Sequence, residues 1–162
     1  MIEISQESNV FIPVMLIVGY WVWNKRREAI WIAPLLVGGV GLSDFLGGQL
    51  KHILARPRPC QIFGNITELV GCGESFSFPS NHALNSATAA AFLSMLYPST
   101  KWVCWSIVGG IGLSRIFLGA HYVTDVIGGW AIGGLIGVSL AWGVLGWTRF
   151  SSIQPVKDKE NR

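Results

Sequence analysis

His121 and Asp125 stand four residues apart, directly after a Gly119-Ala120 break. On a helix that spacing puts both on one face. A carboxylate there can hold one imidazole nitrogen and leave the other free to attack an electrophile. Ser114 and Arg115 close the preceding apolar run, and a fixed arginine beside a histidine suits an anionic substrate. The same residues also fit an ordinary helix corner, so the pair does not by itself define a site.

The elements that must position these groups are apolar. The 162 residues are 51% hydrophobic and 13% charged, against about 25% charged in an average soluble domain. The runs predict an integral membrane protein, all-α, built as a polytopic transmembrane helical bundle of about five to six spans. Its single domain occupies residues 1–150, followed by a flexible polar cytoplasmic tail over 151–162. Val10 to Trp23 forms a first apolar run, shorter than the ~20 residues of a comfortable span. It is expected to be retained, with its N-terminus outside, because Glu3 and Glu7 replace the positive start of a signal peptide.

The second run covers Ala29 to about Ile53. It carries Pro34, five thinning glycines and an isolated Asp44, which is expected to make a structural polar contact. Arg56-Pro57-Arg58-Pro59 ends it, since proline cannot continue the helix and forces the preceding residue toward extended geometry. A polar loop from Cys60 to Phe78 follows, with Phe76 and Phe78 as possible membrane-surface anchors. Pro79-Ser80-Asn81-His82 opens a third run to about Tyr97. The fourth extends from Lys101 to about Leu118, and the fifth from about His121 to Trp147, with Gly129, Gly133 and Gly137 repeating every four residues.

Alternation of the spans puts Lys25-Arg26-Arg27, Lys101 and the tail on one side, which the excess of simple basic charge makes cytoplasmic. The other side collects Lys51, Arg58, Ser80, Asn81, His82, Ser114, Arg115, His121 and Asp125. Three cations, two histidines and a carboxylate at one membrane face are costly without a ligand that uses them. Arginine forks, a lysine and a helix N-terminus capped by Ser80 all suit phosphate oxygens. The expected site therefore faces outside, in a bacterial inner membrane toward the periplasm. Cys60 and Cys72 flank the loop and could form a disulfide in an oxidising compartment. Their spacing fits no common zinc pattern, and nothing resembles a nucleic-acid module.

At these residues the chain resembles the type-2 phosphatidic acid phosphatase (lipid phosphate phosphatase) superfamily, in a small bacterial membrane form. The family is marked by K-x6-R-P, P-S-G-H and S-R-x5-H-x3-D. Here these read Lys51 through Arg58-Pro59, Pro79-Ser80-Asn81-His82, and Ser114-Arg115 through His121 to Asp125, with Asn81 in place of glycine. The resemblance covers about Ala29 to Trp147. It implies hydrolysis of a phosphate monoester or pyrophosphate on a membrane lipid through a phosphohistidine intermediate, without a cofactor or metal. His121 would be the nucleophile, Asp125 its orienter, and His82 the acid and then the base. Lys51, Arg58, Ser80, Asn81 and Arg115 would hold the phosphoryl oxygens. Ser114 would bind phosphate or cap the turn. Undecaprenyl pyrophosphate, lipid A 1-phosphate, phosphatidylglycerophosphate and phosphatidic acid are the substrate candidates. A lipid phosphotransferase, or a non-catalytic lipid-phosphate binder or transporter, would use the same residues. Arg56 has no role in this scheme beyond a surface or headgroup contact, and His52 is expected to be interfacial.

Overall fold

The structure is a computed structural model that describes residues 26–63 and 75–160, with side chains described over 30–63 and 75–147. The expected span from Val10 to Trp23, and Cys72, lie outside the described residues. The chain divides into two compact units, residues 1–37 and 38–162. The described part of the first is the opening of helix α1 (Arg26–Leu54), which includes Pro34. The remaining helices all lie in the second: α2 (Pro59–Ile62), α3 (Asn81–Leu96), α4 (Lys101–Phe117) and α5 (Val123–Glu160). A single 3-10 turn, Pro98–Thr100, joins α3 to α4, and no strand occurs among the described residues.

The expected runs reappear as α1, α3, α4 and α5, with ends shifted by a few residues. The backbone of α5 continues as helix to Glu160. Lys157, Asp158, Lys159 and Glu160 include good helix formers, and a long helix already nucleated upstream propagates cheaply into them. Ile30–Ile62 and Val123–Trp147 are long and apolar enough to cross a membrane. At 16 and 17 residues, α3 and α4 are shorter.

In the second unit the interior is rich in small and polar side chains around Leu84, Phe92, Val108 and Val126, while many of the largest apolar ones face outward. Ala83, Ala87, Ala90, Ala91 and Ala141 are buried, while Phe45, Trp102, Phe117, Leu135, Trp142 and Trp147 are exposed. Water would drive the opposite arrangement. Lipid removes the hydrophobic drive between helices and leaves close packing and buried hydrogen bonds to hold them.

Gly129, Gly133 and Gly137 supply the closest approach. A Cβ on Gly133 would stand 2.1 Å from the Leu84 carbonyl oxygen, and one on Gly137 would stand 2.3 Å from that of Thr88. The backbone of α5 therefore lies directly on α3. Thr88 joins three helices at this level. Its hydroxyl lies 2.7 Å from that of Ser43 on α1, and 3.0 and 3.1 Å from the carbonyls of Leu84 and Gly133.

The corner after α4 follows from its glycine. Gly119 has a φ of 66°, and its N–H donates to the Ile116 carbonyl (2.9 Å) while Ala120 N–H donates to that of Arg115 (3.2 Å). This is a Schellman cap, which needs a left-handed residue that glycine adopts without penalty. It stops α4 and reverses the chain within five residues, placing His121 at the mouth of α5.

Gly133→Ala should clash with backbone and destabilise the fold by about 1–3 kcal/mol. Gly134→Ala, with nothing within 4 Å of its Cβ position, should be neutral or stabilise by up to about 1 kcal/mol. Thermal melting of the two variants in detergent checks the contrast.

Candidate active site

His121 is buried in the turn before α5, and Asp125 is fully buried in the first turn of that helix. The ring Nδ1 of His121 lies 2.7 Å from the Ser77 carbonyl oxygen. A carbonyl only accepts, so Nδ1 carries the proton, and Nε2 of the neutral ring keeps its lone pair. The nearest Asp125 oxygen is 3.8 Å from Nδ1. The imidazole is therefore oriented directly by a backbone carbonyl, with Asp125 one step behind it.

Asp125 holds the surrounding backbone. Its Oδ2 accepts from the Ser77 hydroxyl and from the Tyr122 N–H at 2.9 Å, and its Oδ1 accepts from Arg56 Nη1 at 2.7 Å. The Tyr122 contact is the reach-back of a third-position acid to the N–H preceding its helix, which satisfies a donor the helix cannot. The Asp125 carbonyl in turn accepts the Ser80 N–H at 3.1 Å, so the start of α3 is fixed to the start of α5.

Burial is the main reason the His121 imidazole is pushed down to about 4, and the positive charges of Lys51 and Arg58 add to it; the Ser77 hydrogen bond and Asp125 act the other way. His121 is thus neutral at physiological pH. Lys51 is buried and donates to the Phe76 carbonyl at 2.7 Å. Arg58 donates from Nε to the Ser75 carbonyl at 2.7 Å and from Nη2 to the Ser75 hydroxyl at 2.6 Å. Both cations are pinned on the Ser75–Ser77 segment with their charge directed at His121.

Ser80 precedes α3 as its N-cap, and its buried hydroxyl has no hydrogen-bond partner. The Nε of Arg115, at the end of α4, is likewise buried and unpartnered. Buried donors without partners are rare, and a hydroxyl and a guanidinium N–H of this kind suit the oxygens of an anion. His82 is exposed on the first turn of α3.

Asn81 and Ser114 make side-chain contacts within the fold. The Asn81 side-chain amide does not turn toward the histidine; with Asn85 it donates to Asp44 Oδ1, at 3.0 and 2.9 Å. Asn81 is a tie between α1 and α3, and Asp44 makes the structural polar contact expected of it. The Ser114 hydroxyl bonds back to the Ile111 carbonyl at 2.7 Å, which favours its helix-end role. Phe78 is also no free anchor: its ring fills the space a Cβ on Gly128 would need. His52 meets Phe76 edge to face at 5.9 Å. Cys60 is buried and disulfide-bonded, and Cys104 is free.

Arg56, expected to make only a surface contact, sits instead on Asp125. Ser77 was not singled out by the sequence at all, because its main contribution is a carbonyl, which every residue has. A signal for Arg56 existed in the doubled Arg-Pro, whose extended geometry presents two arginines in quick succession.

The PAP2 superfamily model matches residues 31–149, and the chain belongs to that family. Phosphatidylglycerophosphatase B of Bacillus subtilis is 34% identical over 140 residues, covering 80% of this chain and 65% of that protein. An undecaprenyl-diphosphatase of Sulfolobus acidocaldarius is 31% identical over 128 residues, covering 78% and 60%. A lipid A 4'-phosphatase of Porphyromonas gingivalis is 30% identical over 121 residues, covering 70% and 51%. The chain thus spans between about half and two thirds of the length of these curated relatives. Among solved structures, the transmembrane PAP2-type phosphatidylglycerolphosphate phosphatase from Bacillus subtilis superposes with a TM-score of 0.60 at 32% identity, covering 82% of this chain and 68% of that one.

The His121 geometry sets a titration. Its folded value of about 4 lies below the unfolded value of about 6.5. Between the two the unfolded chain binds more protons, so stability falls as pH drops from about 6.5 toward 4. NMR of ring-labelled His121 should give a midpoint near 4; a midpoint near 6.5 would contradict the buried, cation-flanked placement.

Proposed function

We propose that this chain is an integral membrane lipid phosphate phosphatase that hydrolyses a phosphate monoester or pyrophosphate through a phosphohistidine on His121. The observation that carries the reading is the neutral, buried imidazole with Nδ1–H bonded to the Ser77 carbonyl and the lone pair on Nε2, with the charges of Lys51 and Arg58 acting on it. A histidine held this way is a nucleophile waiting beside a phosphate clamp. The named activities of the relatives belong to the same reaction class.

In the first step the Nε2 lone pair forms a bond to phosphorus while the bond from phosphorus to the lipid oxygen breaks. His82 gives its proton to that leaving oxygen. In the second step His82 takes a proton from water, whose oxygen attacks phosphorus and displaces Nε2, releasing inorganic phosphate and restoring both histidines. Lys51, Arg58, Arg115 and the N-terminus of α3 behind Ser80 neutralise the phosphoryl oxygens as charge accumulates on them. Asn81 and Ser114 contribute through their backbone positions. No step in this scheme calls for a metal ion.

The remaining elements of the reading are placement and substrate. The bundle would have five to six spans in one domain over residues 1–150, with the tail at 151–162 cytoplasmic. The site would open on the outer face of a bacterial inner membrane, and a Cys60–Cys72 disulfide would tie down the loop beside it. The headgroup could then reach His121 while the acyl or prenyl chains stay in the bilayer. Phosphatidylglycerophosphate, undecaprenyl pyrophosphate, lipid A 1-phosphate and phosphatidic acid are the substrates to compare.

Purified protein in detergent should release phosphate from at least one of these four with chelator present, and vanadate should inhibit it. His121→Ala should lose at least about 10³-fold in kcat, the scale of losing a nucleophile. Activity that requires added magnesium, or that survives in His121→Ala, would refute the mechanism. Radiolabelled lipid turned over with an alcohol present separates hydrolysis from transfer, and binding without any turnover would mark a carrier.

A further inference from the structure

Arg56 stands outside the motifs yet touches every part that holds His121. Helix α1 ends at Leu54, closed by the Ala55 N–H donating to the Lys51 carbonyl at 2.9 Å. Ala55 then takes a φ of 45°, a left-handed conformation that costs a non-glycine residue roughly 1–2 kcal/mol. Such strain persists only where the surroundings impose it. Here it turns the chain so that Arg56 faces the start of α5.

The Arg56 side chain donates from Nη1 to Asp125 Oδ1 and to Thr124 Oγ1, both at 2.7 Å, and its guanidinium carbon lies 4.1 Å above the Tyr122 ring centre. Its backbone carbonyl accepts the Ser77 N–H, also at 2.7 Å. Ser77 completes a ring of contacts: its hydroxyl donates to the other Asp125 oxygen, and its carbonyl receives His121 Nδ1–H. One residue therefore fixes Asp125 with its side chain and Ser77 with its main chain. Without that cation, Asp125 would be a buried carboxylate with neutral donors only, free to swing toward His121 3.8 Å away.

We infer that Arg56 is a positioning residue that, by clamping Asp125 and Ser77, sets the Nδ1–H tautomer and the aim of His121. The inference rests on the proposed phosphohistidine chemistry for its kinetic consequence, though not for its structural one. Arg56 does not belong to the phosphate clamp: its Nη1 is committed to Asp125 and Thr124, and its side chain, 38% exposed, opens on a hollow lined by Leu54, Ala55, Pro57 and Phe78. Lysine would keep the charge but lose the planar stack on Tyr122.

The test compares wild type, Arg56→Ala and Arg56→Lys in detergent by kinetics and by NMR of the ring-labelled histidines without substrate. Misaimed nucleophiles lose about 10²-fold in rate, so Arg56→Ala should lose about that in kcat, with KM changed less than about threefold. Arg56→Lys should recover about tenfold of the loss, and added guanidinium, entering through the open hollow, should restore part of the activity of Arg56→Ala. In the NMR spectrum the Nδ1–H form of His121 should give way to a mixture with the Nε2–H form in Arg56→Ala. A folded Arg56→Ala with the wild-type tautomer, or with kcat within about threefold of wild type, overturns the inference. So does a loss that appears in KM alone. If Arg56→Ala does not fold, Arg56→Lys and Thr124→Val carry the same tautomer and kcat readouts. If wild type releases no phosphate from any lipid, the functional reading fails while the tautomer shift still decides this inference.

Discussion

A buried carboxylate must be satisfied or neutralised, and the way Asp125 is satisfied organises the site. With no exposed surface, it accepts from Arg56, from the Ser77 hydroxyl and from the Tyr122 N–H. Those donors come from the exit of α1, from the segment leading into α3, and from the entry of α5. An uncompensated charge there would cost several kcal/mol, so the three chain segments are locked together by the need to pay for one ion. His121 inherits its position from that lock, through the Ser77 carbonyl. The His121 imidazole is thus held by backbone, and the acid that sequence spacing pairs with it governs that backbone.

This arrangement suits a membrane-embedded protein whose helices cannot rely on the hydrophobic effect to hold them together. Its interior is rich in alanine, glycine, serine and threonine, and backbone lies on backbone where Gly133 meets Leu84. Such packing is rigid and leaves little volume for adjustment. It brings the N-termini of α3 and α5 side by side, linked by the Ser80 to Asp125 backbone hydrogen bond. Two helix N-termini and the cations Lys51 and Arg58 then share one small region, which favours negative charge in a ligand.

Much of this was legible in the sequence because it depended on residue type at fixed spacing. The apolar runs gave α1, α3, α4 and α5. The Gly129, Gly133 and Gly137 repeat marked the close face, and Gly119 marked the corner before His121. Lys51, Arg58, Ser80, His121 and Asp125 were readable as candidates because each lies near the end of an apolar run. The contributions of Ser77 and Arg56 were hidden for different reasons. Ser77 acts through a carbonyl, which has no sequence signature. Arg56 depends on the left-handed turn at Ala55, at a residue that rarely adopts one. Asn81 also has a contact the sequence does not show: Asp44, distant in sequence, accepts from its side-chain amide.

The central claim is that His121 attacks phosphorus through Nε2 while Nδ1 remains bonded to Ser77. The most direct measurement is to mix the protein with a 32P-labelled lipid phosphate, quench in base, where phosphohistidine survives, locate the label by peptide mapping, and identify the phosphorylated nitrogen by 31P NMR of a parallel unlabelled sample. The account predicts label on His121 alone, at Nε2, with none in His121→Gln. Label on Nδ1 of His121, label on His82, or full turnover with no labelled protein at any time would contradict it.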